Sequence, residues 1–209
     1  MYQLYWAKDS GALAPQIVLE EIGAEYERCV LDMEQGQETA AEYLEINPRG
    51  QVPALVLADG SIITESAAIS LHLADSHVEA GLLPPFASEE RAQVYRWLFY
   101  ASANLYETVL RLYYTDRFTT DPSQVDQIQA SARAFMDQSW ELVENELNQG
   151  PYLLGQTYSV VDPYLLMLTN WHEQPEILFE RNPKLGRLCE TVRARPAVER
   201  IWSQHFPET

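Results

Sequence analysis

The stretch Pro48-Arg49-Gly50-Gln51-Val52-Pro53, running on past Asp59-Gly60 to Thr64-Glu65-Ser66-Ala67-Ala68-Ile69, decides how this chain is read. Asn47-Pro48-Arg49-Gly50 is a turn signal, because Asn and Pro start turns and Gly accepts the backbone that closes them. The apolar runs 54–57 and 61–63 flank Asp59-Gly60, which is the signature of a hairpin, and 64–75 reads as a helix. Working back toward the N-terminus, the segment 32–46 is acidic with weak helical patterning. Before it come a strand at 26–31, a helix at 11–22 ended by Gly23, and a strand at 2–7. A right-handed crossover through that helix makes the two strands parallel neighbours. The order βαβ, α, ββ, α predicts a small α/β domain over residues 1–77.

Beyond it the pattern changes. Residues 78–87 carry Gly81, Pro84 and Pro85 without sustained periodicity and read as a linker. Ser88, Glu89 and Glu90 open a helix expected to run to about residue 115. Asp121-Pro122 then forms an N-cap and first-turn pair ahead of Val125, Ile128, Ala132, Phe135, Met136, Trp140, Val143 and Leu147 at helical spacing, closed by Gly150-Pro151. Residues 88–209 are therefore expected to be all-helical.

Composition narrows the function classes. The net charge of −17 repels polyanions, and the 14 Lys and Arg are scattered, so nucleic acid is not an expected partner. No run of about 18 apolar residues and no basic-then-apolar leader is visible, which points away from membranes. Cys29 and Cys189 lie far apart in strand-like and helix-like segments, so neither a disulfide framework nor a metal site is expected, and a reducing cytoplasm fits best.

Taken with their order, Pro48-Arg49-Gly50-Gln51-Val52-Pro53 and Thr64-Glu65-Ser66-Ala67-Ala68-Ile69 resemble the glutathione-site signature of the cytosolic glutathione S-transferases. The likeness extends to Gly155-Gln156-Thr157-Tyr158-Ser159-Val160-Val161-Asp162, similar to that family's capping box before a buried helix, with Ser159 and Asp162 exchanging backbone hydrogen bonds and Pro163 departing from the pattern. The first loop, Asp9-Ser10-Gly11-Ala12-Leu13-Ala14-Pro15, looks closest to bacterial beta-like members but has Gly11 where those carry cysteine. That difference argues against transfer through a mixed disulfide.

The resemblance implies an α/β thioredoxin-like N-terminal domain plus an all-α C-terminal domain, a homodimer, a cytoplasmic role in detoxification, and glutathione as co-substrate without a metal. It implies a cis Val52–Pro53 bond that lets the backbone of Val52, next to Gln51, pair with the cysteinyl unit of glutathione. Ser66 and the start of its helix would take the γ-glutamyl carboxylate, and Glu65 the ammonium group. Relatives often supply a cation for the glycyl carboxylate from a segment that here holds Asp32, Glu34, Glu38, Glu42 and Glu45 and no Lys or Arg. Gln35 and Gln37 are uncharged substitutes, and Lys8 and Arg49 would offset part of the acidic field.

Conjugation needs the thiolate, whereas a free thiol has a pKa of about 8.5. Ser10 is the first candidate for the stabilising hydrogen bond, at the dipole end of the first helix. Tyr5 is the second, although strand alternation leaves open whether Tyr5 or Trp6 faces the site. Tyr106 is the third, standing near where beta-like relatives place a site-facing histidine. Tyr106, Leu110 and Tyr113, with Phe99 and Tyr114, recur at helical spacing and would line a pocket for a small apolar electrophile, or else belong to the core. Two other readings are compatible with the same residues: glutathione-dependent peroxide reduction or isomerisation, and a non-catalytic scaffold or ligand carrier.

Overall fold

The computed structural model describes residues 1–147 and 150–206. Two compact units are present, one formed by Met1–Leu83 with the stretch from Arg193 onward, the other by Pro84–Val192.

In the first unit, β1 (Tyr2–Trp6) lies parallel to β2 (Tyr26–Val30), joined by α1 (Leu13–Glu21). After the one-turn α2 (Ala41–Leu44), β3 (Ala54–Val56) runs antiparallel to β1 and β4 (Ile62–Thr64) antiparallel to β3, giving the sheet order β2-β1-β3-β4. α3 (Ser66–Ser76) follows. Leu4, Leu13, Ile17, Leu19, Leu55, Ile69 and Leu73 are wholly enclosed, each contributing about 1.5–3 kcal/mol from burial. α1 closes as a Schellman turn: Ala24 N–H donates to Leu19 C=O at 3.1 Å and Gly23 N–H to Glu20 C=O at 3.2 Å, with Gly23 at φ +64°.

The second unit is helical: α4 (Glu89–Tyr100), a π-helical segment over Ala101–Tyr106, α5 (Glu107–Tyr113), α6 (Val125–Glu146), α7 (Val161–Asn170), α8 (Pro175–Arg181) and α9 (Pro183–Arg193). Ser88 caps α4 by accepting Arg91 N–H at 3.1 Å. Asp162 is fully enclosed and accepts from Ser159 N–H at 2.7 Å, Ser159 Oγ at 3.2 Å and Leu153 N–H at 2.8 Å. The expected capping box is thus half formed. Asp162 reaches back as the pattern requires, but its own N–H donates to Ser159 C=O at 3.1 Å instead of the hydroxyl.

The last helix, α10 (Pro196–His205), departs from the sequence reading, which counted it in the helical domain. It packs on α1 within the first unit. Arg195 Nε and Nη2 donate to both carboxylate oxygens of Glu21 at 2.6 and 2.9 Å, and Arg200 Nη2 donates to Glu20 at 3.1 Å. These charge pairs and the enclosed Val198 and Ile201 give the helix an apolar and ionic partner that local sequence does not announce.

Candidate functional site

The turn after α2 is built around one carbonyl. Asn47, nearly enclosed, accepts Arg49 N–H on Oδ1 at 3.1 Å and donates from Nδ2 to Gln51 C=O at 2.7 Å. The Tyr43 hydroxyl donates to the same oxygen at 2.6 Å. Burial pushes the Tyr43 phenol up to about 12, so it stays a donor at any ordinary pH. Gly50 sits at φ +60°, and a Cβ there would come within 3.0 Å of Glu38 C=O, so only glycine fits the turn. Beyond the doubly held Gln51, no hydrogen bond among the described residues engages the N–H or C=O of Val52. The Val52–Pro53 peptide is cis, the form the resemblance implies, and Pro53 is buried at the start of β3. A backbone donor and acceptor left open beside a sheet offer themselves to another extended chain.

Glu65 precedes α3 at φ +67° and ψ +111°, a conformation that costs a non-glycine residue on the order of 1–3 kcal/mol. Ser66 follows as the first residue of α3 and is buried, at the end of the helix where N–H groups lack intrahelical acceptors. Glu65 Oε1 accepts from Arg49 Nη1 at 3.0 Å, both side chains being 63% exposed, so the pair itself adds little stability. Its effect is positional, since it ties the turn at Asn47 to the entry of α3.

The loop after β1 has Asp9 at φ +51° and brings Ser10 to the entry of α1. α1 begins at Leu13, two residues later than the sequence suggests, and Ser10 is tied into the turn that precedes it. Its hydroxyl donates to Ala7 C=O at 2.7 Å and accepts Ala12 N–H at 3.2 Å, while no hydrogen bond among the described residues engages Gly11 N–H. The structure also settles the alternation on β1. Trp6 turns to the α1 side, its Nε1–H donating to Gln16 Oε1 at 2.6 Å, whereas Tyr5 stands against the Tyr43 ring with centroids 5.3 Å apart. Burial, then Cys29 and Glu27 nearby, raise the Tyr5 phenol above its ordinary range and keep it protonated.

The other expected residues have the following surroundings. Gln35 donates from Nε2 to Asp32 at 2.7 Å and Gln37 accepts Asp32 N–H at 2.9 Å, so both amides serve the turn that caps itself on Asp32. In the helical unit, Tyr106 closes the π segment and meets Trp171 edge-on at 5.2 Å. Tyr113, 53% exposed, donates its hydroxyl to Trp171 C=O at 3.1 Å, and Leu110 is half-buried between them in sequence. The core stripe of this helix is instead Trp97, Leu98, Ala101, Leu105, Val109 and Leu112, with Phe99 at 62% exposure. The six-residue π segment changes the helical phase, which a strict 3.6-residue count across it cannot follow.

Sequence reasoning missed Tyr43 and Asn47 as the holders of Gln51. The only local sign was Asn47 itself, an Asn one residue before proline. Among the described residues no cluster of three or more His, Cys, Asp or Glu is placed to hold a metal, and no helix is long and apolar enough to cross a membrane.

Comparison with known proteins follows the same division. Residues 2–75 match the family described as "Glutathione S-transferase, N-terminal domain" and residues 107–196 the one described as "Glutathione S-transferase, C-terminal domain". The chain is 28% identical over 198 residues to glutathione S-transferase GstA of Escherichia coli O157:H7, covering 94% of this chain and 95% of that one. It superposes with a TM-score of 0.84 on the crystal structure of a glutathione transferase from Methylococcus capsulatus str. Bath, at 33% identity over 98% of each chain. A glutathione transferase homolog from Sulfitobacter with bound glutathione gives a TM-score of 0.90 at 28% identity, again over 98% of each chain.

Proposed function

The chain belongs to the glutathione S-transferase family, and on that footing we propose that it is a glutathione transferase that conjugates the glutathione thiolate to small apolar electrophiles. The observation that carries this reading is the open backbone of Val52 behind the doubly held Gln51 carbonyl. In our reading the cysteinyl unit pairs with that backbone, and the γ-glutamyl carboxylate lies on Ser66 and the N-terminus of α3. The ammonium group takes Glu65, displacing part of its contact with Arg49. The bound glutathione of the Sulfitobacter homolog supports this choice of ligand.

The thiolate is then stabilised at the entry of α1 by Gly11 N–H and by the Ser10 hydroxyl, which exchanges its Ala7 acceptor for sulfur. Tyr5 is the second candidate for that donor and Tyr106 the third. Tyr106, Leu110 and Tyr113 supply apolar surface for the electrophile, with the chain acting as a homodimer in the cytoplasm.

One observation favours a second reading. The Ser10 proton already has an acceptor, as it would in a scaffold that keeps the fold and the glutathione contacts but does not activate sulfur. Calorimetry with glutathione, followed by a panel of electrophiles and peroxides, tests both readings. Binding with conjugation supports the first, binding without turnover the second, and no binding at millimolar glutathione removes them both.

A further inference from the structure

His205, the last residue of α10, has no solvent exposure and sits in a polar network that reaches the first loop. Its Nε2 lies 2.9 Å from Gln16 Oε1 and 2.8 Å from Trp6 Nε1, whose N–H is also 2.6 Å from Gln16 Oε1. Its Nδ1 accepts the backbone N–H of Asp9 at 3.2 Å. Asp9 N–H and Trp6 N–H thus face the two ring nitrogens, of which a neutral imidazole accepts on one. Trp6 N–H has the closer acceptor in Gln16 Oε1, so Nδ1 accepts from Asp9, Nε2 carries the proton and donates to Gln16, and the imidazole is neutral. Gln204, one residue earlier, accepts from Gln16 Nε2 at 3.0 Å and from Arg28 at 2.6 Å. Asp9 is the residue held at φ +51°, immediately before Ser10.

We propose that His205 is a positioning residue: from the C-terminal helix it holds the Asp9 amide, sets the left-handed turn at that residue, and so presents Ser10 and Gly11 N–H at the entry of α1. A second proton on the ring would go to Nδ1, where a donor would face the Asp9 donor, and the turn would be released. The groups facing the ring resist that proton. Trp6 of β1 and Gln16 of α1 are uncharged, Asp9 reaches it through its backbone, Arg28 of β2 is cationic, and the α10 cations Arg195 and Arg200 are paired with Glu21 and Glu20. Burial first and then Arg28 lower the imidazole to about 4, so the hold persists at neutral pH and fails on strong acidification. The catalytic consequence rests on the proposed glutathione function, but the positioning does not.

The test is amide exchange by NMR on the full chain, with Ile17 N–H of α1 as the internal control. In His205→Leu, protection of the Asp9 amide should fall about tenfold or more, the loss expected for one hydrogen bond of ordinary strength, while Ile17 is unchanged. His205→Asn, whose Oδ1 replaces Nδ1 as an acceptor but cannot be protonated, should restore it. In the unmodified chain, Asp9 protection should drop as pH falls toward 4, and His205→Asn should not follow. With glutathione bound, His205→Leu should also raise the thiol pKa read by thiolate absorbance, and His205→Asn should bring it back. Unchanged Asp9 protection in a folded His205→Leu overturns the proposal. If that variant does not fold, the acid series on the unmodified chain decides alone, and flat Asp9 protection through the titration of His205 overturns it. Loss of Asp9 protection in a chain that binds no glutathione upholds the positioning role and sinks the glutathione reading instead.

Discussion

The Ser10 hydroxyl donates to the Ala7 carbonyl oxygen at 2.7 Å, so the side chain placed best to stabilise a thiolate already has its single proton engaged. Activation through Ser10 therefore requires an exchange of acceptors. An anionic sulfur favours that exchange, because a hydrogen bond to a charged acceptor is roughly twice as strong as one to a carbonyl.

Ser10→Ala separates activation from binding. The pKa of bound glutathione should rise by about one unit, a change of about 1.4 kcal/mol, while affinity at low pH, where the thiol is neutral, changes little. Thiolate absorbance against pH is the measurement. An unchanged thiol pKa would leave Gly11 N–H and Tyr5 as the donors.

Ser66→Ala removes a charge-assisted contact to the γ-glutamyl carboxylate, and glutathione should bind about 1.5–3 kcal/mol more weakly, roughly tenfold to over a hundredfold by calorimetry. Global stability should fall by less, about 1 kcal/mol as for loss of a helix cap. Affinity within twofold of the parent would remove Ser66 from the site.

Tyr43→Phe and Asn47→Ala each leave Gln51 C=O with one of its two donors. Each should cost about 1 kcal/mol in urea unfolding, and the double variant should cost more than their sum, because only then does the part-buried carbonyl lose both protein donors. Glutathione affinity should follow the same order, since the Val52 backbone depends on that carbonyl. Strict additivity in both measurements would mean the two donors do not share a role.

Asp162 and His205 should give opposite pH dependences of stability. Burial raises Asp162 from 3.8 to about 6, so the folded chain holds that proton more tightly. Its stabilisation is present below about 4 and is lost as pH rises through about 6. His205 is lowered from 6.5 to about 4, so its contribution is present above 6.5 and is lost as pH falls toward 4. Each amounts to roughly 3 kcal/mol, and in the parent the two oppose each other. Asp162→Asn should make stability rise more steeply from pH 4 to 6.5, and His205→Asn should make it fall. Parallel urea midpoints for all three proteins across that window would contradict both assignments.

Phe99 on α4 is 62% exposed, a large apolar side chain presented to solvent. If it is covered in a homodimer, light scattering should give twice the chain mass at micromolar concentration. Phe99→Ser should weaken association tenfold or more, as expected from losing about 1.5–3 kcal/mol of aromatic burial. A monomer mass for the parent would rule the dimer out.

Much of this protein is local and could be read from the chain. The βαβ start, the turn at Asn47-Pro48-Arg49-Gly50, the cap at Ser88 and the acceptor at Asp121 each follow from neighbouring residues, because turn and cap chemistry operates over three or four positions. The segment of Glu65 and Ser66 was legible for the same reason, although not the positive φ of Glu65. What sequence spacing left open was also specific. Gln35 and Gln37 look available until their amides are found on Asp32, and the aromatic stripe from Phe99 to Tyr113 looks regular until the π segment at Ala101–Tyr106 shifts its phase.

The sequence by itself determined the order of elements, the change to helices near residue 84, and the residues that resemble a glutathione site, since periodicity, breakers and caps depend on neighbours along the chain. Only the tertiary structure decided that Trp6, not Tyr5, turns toward α1, and that the C-terminal helix belongs with the first unit. Asp9 and His205 are separated by 196 residues and meet through one hydrogen bond, and Glu21 and Arg195 are separated by 174. Such pairs have no period or spacing to read, because they are chosen by which buried polar groups find partners once the helices have packed.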